Sequence, residues 1–91
     1  MTIKERLEKK VHTYCVKNKI VYIEGTITYS GLNPEAVSPA RERRPMHIVA
    51  FNVWAIKDVT HQRWFIQIDP ETEKLVLLIT PHIYETINDD E

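Results

Sequence analysis

The chain has one cysteine, two glycines and a net charge of only −1 in 91 residues. No apolar run approaches the roughly 20 residues needed to cross a bilayer. A lone Cys15 excludes an internal disulfide framework and fits a reducing compartment. With Gly25 and Gly31 alone, neither a P-loop nor a dinucleotide fingerprint can be written. The N-terminus opens on an amphipathic charged run rather than an apolar signal segment, so the expected setting is cytoplasmic, away from membranes. Twelve Lys and Arg against thirteen Asp and Glu provide no global pull toward nucleic acid.

What is present is apolar and patterned. A hydrophobic content of 43% argues for a folded chain, here a single α+β domain over residues 1–87 with an acidic tail at 88–91. Thr2-Ile3-Lys4-Glu5 fits a capping box, and Ile3, Leu7, Val11, Tyr14 and Cys15 then recur at helical spacing as one stripe. Asn18 is the expected stop, as a residue that tolerates left-handed backbone. Residues 19–30 alternate as a strand, with Val21, Ile23, Ile27 and Tyr29 toward the core and Gly25 marking a bulge. Residues 31–45 break every period. They carry Pro34, Pro39 and Pro45 and are expected to form one long loop.

Three further strands follow as a meander over residues 46–57, 62–69 and 74–80. Asp69, then Pro70, Glu71, Thr72 and Glu73, then Lys74, read as a four-residue hairpin loop with Asp69 facing Lys74. Counting outward pairs Ile68 with Leu75, Ile66 with Leu77 and Trp64 with Ile79. A weaker turn at Asp58, Val59, Thr60 and His61 sets Ala55, Val53 and Phe51 beside Trp64, Ile66 and Ile68. These rows are the expected core face. The reverse face then holds Trp54, Phe65 and Leu78, a row of Asn52, Gln67 and Val76, and flanking Ile48, Ala50, Ile56 and Arg63. After Pro81, residues 82–87 form a short helix or an added edge.

The fold expected is an N-terminal helix packed on one face of a four-stranded antiparallel sheet, the alternative being a small helix-capped β-barrel of the oligonucleotide-binding or SH3-like kind. This order resembles a cystatin-like half-wrap, and Ile68-Asp69-Pro70-Glu71-Thr72 is similar to the closing hairpin of PepSY domains. Neither resemblance brings a function with it.

No constellation of catalytic type stands out. Cys15 sits on the apolar stripe, and Ser30 and Ser38 lack a nucleophile-elbow context. His12, His47, His61 and His82 share no ligand spacing, so neither metal nor cofactor is expected. Arg41, Arg43 and Arg44 form the strongest local charge cluster. With Tyr22, Trp54 and Phe65 as stacking surfaces they support an alternative reading as a single-stranded nucleic-acid module. A third reading places a small-ligand pocket between helix and sheet, lined by Tyr14, Tyr29 or Trp64.

The leading expectation comes from the reverse face. A one-sided antiparallel sheet is mainly polar outside, and this one carries large apolar side chains there. The chain is therefore expected to be non-enzymatic and to act by protein–protein association, as a homodimer or with a regulatory partner. Trp54, Phe65, Leu78, Ile48 and Ile56 are the apolar contacts, with Arg63, Arg41, Arg43 and Arg44 orienting.

Overall fold

Thr2 starts the first element, α1 (Ile3–Lys17), by accepting the Glu5 backbone N–H at 3.2 Å while its own hydroxyl donates to the Glu5 carboxylate at 3.1 Å. The computed structural model describes residues 2–37 and 42–87. Leu7, Val11 and Cys15 are fully buried, as the helical stripe requires. The helix closes differently from expectation. Asn18 keeps φ at −97° and caps the Tyr14 carbonyl through its side chain at 2.9 Å, while Lys19 takes the left-handed turn at φ +56°. Ile20 N–H then reaches back to the Cys15 carbonyl at 2.9 Å, which completes a Schellman closure.

The strand expected over residues 19–30 is broken. Tyr22 forms an isolated bridge with Val53, and a turn at Glu24 and Gly25, with Gly25 at φ +81°, interrupts the edge. That excursion switches the side-chain parity. Ile20 and Tyr22 pack on the core before it, Ile27 and Tyr29 after it, and Val21 is left 58% exposed. The strand β1 (Thr28–Val37) instead runs on into the segment expected as loop, pairing with β2 (Arg43–Ile56). Register shifts between Tyr29 and Gly31 and between Asn33 and Ala36 absorb Ser30, Pro34 and Glu35, residues that hide a strand in the sequence. Residues 38–41 of the expected loop, like the tail at 88–91, lie outside the described residues.

Three more strands, β3 (Thr60–Ile68), β4 (Leu75–Ile79) and β5 (Tyr84–Thr86), complete an open five-stranded antiparallel sheet in the order β1-β2-β3-β4-β5. The sheet has one strand more than expected and does not close into a barrel. The hairpin at Asp69 forms as read: its N–H donates to the Lys74 carbonyl at 2.9 Å, and its carboxylate accepts Glu71 and Thr72 N–H at 2.8 and 3.1 Å. Ile68 does face Leu75, but a register shift beyond it sets Ile66 opposite Leu78, not Leu77. Leu78 therefore lies in the core, and Leu77 moves to the reverse face. The β2–β3 turn is tighter than expected. Asp58 sits at φ +63° and Val59 N–H donates to the Ile56 carbonyl, so Phe51 pairs with Trp64 and Val49 with Ile66. This slip is an even number of residues, so the faces survive even though the rows move.

The core joins Leu7, Val11 and Cys15 to Val49, Phe51, Val53, Ile66, Ile68, Leu75 and Leu78. Each such large side chain contributes on the order of 1.5–3 kcal/mol when fully buried. The helix crosses the β1 and β2 side of the sheet. Two polar ties hold it on the sheet: the Arg6 fork grips Glu73 of the β3–β4 turn at 2.7 and 2.8 Å, and Glu8 accepts the Tyr29 N–H of β1 at 2.8 Å.

Candidate association surface

Helix α1 covers one side of the sheet, and the other side is the candidate surface. Strand alternation and the observed registers lay it out in rows. At the β2–β3 hairpin end, Trp54 stands opposite His61, with Val21 hydrogen-bonded to the Trp54 backbone on the flank. Next comes Asn52 opposite Arg63. Then a row crosses five strands, from Thr28 through Ala50, Phe65 and Ile79 to Tyr84. Beyond it lies the row of Gly31, Ile48, Gln67, Leu77 and Thr86.

The far half of this face is closed within the chain. Ala36, Met46, Gln67 and Leu77 are all buried, and Gln67 Oε1 has no hydrogen-bond partner among the described residues. The near half is open. Trp54 and Phe65 are half-buried, Arg63 and His61 are exposed, and Tyr84 is 70% exposed. The Arg63 guanidinium lies 5.9 Å from the Phe65 ring centroid, and Trp54 meets His61 edge to face.

The structure thus brings Trp54, Phe65, Ile48 and Arg63 to one face and removes others. Leu78 is buried in the core, opposite Ile66. Ile56 is displaced by a register shift after Trp54 and stands opposite Thr60, 61% exposed at the hairpin end. Arg44 is tied to Asp69, Arg43 is exposed opposite Val37, and Arg41 lies outside the described residues. Arg44 and Asp69, paired with each other, line a shallow cleft of about 280 Å³ with Pro45, Pro70 and Glu71. Sequence reasoning missed Val21, Ile79 and Tyr84. The signal for Tyr84 was available: once residues 82–87 are read as an added edge, Tyr84 falls beside Ile79.

Chain comparison adds no further constraint. No family model, curated protein or solved structure matches this sequence. Burial pushes the Cys15 thiol up to about 11, which leaves little thiolate at neutral pH. Two histidines sit on tyrosines, with His12 Nδ1 2.5 Å from the Tyr22 hydroxyl and His47 Nδ1 2.7 Å from that of Tyr29. Among the described residues, no three His, Cys, Asp or Glu side chains converge as metal ligands. Tyr14, Tyr29 and Trp64 are partly buried against the core cluster that includes Leu7, Val11 and Cys15. No helix of the described residues is long and apolar enough to cross a membrane.

Proposed function

We propose that this chain acts by association rather than catalysis, first of all with a second copy of itself, through the near half of the reverse sheet face. The observation that carries this reading is the run of large side chains left open on a face no described helix covers: Val21 and Trp54 in one row, Phe65, Ile79 and Tyr84 in another. Half-buried aromatics beside an arginine are the residue types that dominate contact energies between proteins. The nucleic-acid alternative finds less support, because Arg44 is already paired with Asp69 and a phosphate chain needs several free cations.

Size exclusion with light scattering across the micromolar range tests the proposal. The parent should show the mass of a dimer. Trp54→Asp should remain folded by circular dichroism and run as a monomer, since losing a central aromatic contact costs about 2 kcal/mol or more. A parent that stays monomeric at high micromolar concentration would overturn the reading, as would a variant that dimerises like the parent.

A further inference from the structure

Charge on the association face narrows how two copies can meet. Its strand positions from Val21 to Tyr84 carry Arg63 and no acidic residue, since Glu85 pairs with Leu78 on the helix side. Arg63 has no carboxylate partner among the described residues; its contacts are the Phe65 ring and Asn52 Oδ1, the latter at 3.4 Å. Two such faces packed about the Arg63 row would oppose like charges and repel.

The β2–β3 turn offers the missing complement. Asp58 is exposed at its tip with no ion-pair partner among the described residues, and large apolar residues of this end of the sheet are open, Val21 at 58%, Ile56 at 61% and Val59 at 73%. Exposed apolar groups gathered at the end of the sheet that also presents Trp54 make this end, not the Phe65 end, the natural centre of contact.

We propose that the two copies meet about a two-fold axis at the row of Trp54 and His61, with Arg63 of each copy paired to Asp58 of the other. This rests on the self-association reading above. Along the hairpin, Arg63 lies two strand residues, about 7 Å, to one side of that row, and the turn tip bearing Asp58 lies beyond Thr60 on the other. A two-fold in the plane of contact and perpendicular to the strands inverts this direction. It therefore carries Arg63 over the opposing tip, within reach of Asp58, and stacks Trp54 against its symmetry mate. The contact is isologous, so each pair occurs twice. The same rotation covers Val59 with the Arg63 stem.

A charge exchange tests the arrangement. Arg63→Glu and Asp58→Lys should each weaken dimerisation roughly tenfold or more in sedimentation equilibrium, and the double variant should recover most of the parent affinity. Asp58 holds positive φ, so Asp58→Asn, which keeps the turn and loses the charge, separates a folding defect from a lost ion pair. It too should weaken the dimer. A double variant no tighter than the weaker single, or an Asp58→Asn dimer equal to the parent, overturns the arrangement. If Trp54→Asp is monomeric while the exchange fails, self-association stands and only this geometry falls. A monomeric parent removes both.

Discussion

Lys19, Asp58 and Glu73 hold left-handed backbone, at φ +56°, +63° and +58°, in a chain with few glycines to do so. Each sits where the chain must reverse: the end of α1, the β2–β3 turn and the β3–β4 turn. Aspartate tolerates this conformation through its short polar side chain, while lysine has no such compensation. Lys19→Gly should therefore raise stability by about 0.5–1 kcal/mol in chemical denaturation, the relief of strain being partly offset by a freer unfolded chain. An unchanged or lower midpoint would mean that the Schellman closure carries no strain. Sequence reasoning placed the stop correctly and assigned the turn to the wrong residue. Asn18 was the better left-handed candidate, but its side chain is used on the Tyr14 carbonyl, and that role keeps it at negative φ.

Elements were legible where a local device defines them. The helix cap at Thr2 and the loop at Asp69 each close through a side chain on nearby backbone, so the sequence carries them. Strand β1 was not legible, because Leu32, Asn33, Pro34 and Glu35 are all exposed and leave no alternation to read. Pro34 and the bulges suit an edge strand, where they blunt unwanted pairing, and Glu8 occupies one open N–H of that edge at Tyr29. The bulge at Val76 was equally hidden, and it moved Leu78 into the core at the expense of the predicted contact surface. The helix tie gives a pH prediction. The hydrogen bond from Arg6 holds the Glu73 carboxyl below its usual value, against opposing desolvation. At Asp69, desolvation pushes upward, but the Thr72 and Glu71 N–H groups and Arg44 outweigh it, so that carboxyl is lowered too. A depressed folded value means the stabilisation is present above about pH 4.5 and fades as pH falls through the lowered folded value. Glu73→Gln should thus be less stable than the parent at pH 7, with the two thermal midpoints converging toward pH 3. A gap that persists at pH 3 would assign the loss to packing instead.

At the scale of the molecule, the one helix among the described residues covers one face of the sheet, and the other face is shielded unevenly. The half nearer Met46 and Leu77 is buried internally, while the half bearing Trp54 and Tyr84 stays open. That division was legible in part: the apolar character of the second face was readable from alternation, but its internally buried half depends on the long β1–β2 pairing, which no local pattern announced. If the open half is covered by a second copy, part of the stability belongs to the dimer and must follow mass action. For folding coupled to dimerisation, tenfold more protein adds about 1.4 kcal/mol per dimer, or roughly 0.7 per protomer. For a domain of this size that raises the thermal midpoint by about 3–6 °C. Calorimetry over a hundredfold concentration range should show about twice this rise for the parent and a flat midpoint for Trp54→Asp. Flat midpoints in both proteins would mean that the open half of the face contributes nothing to stability through self-contact.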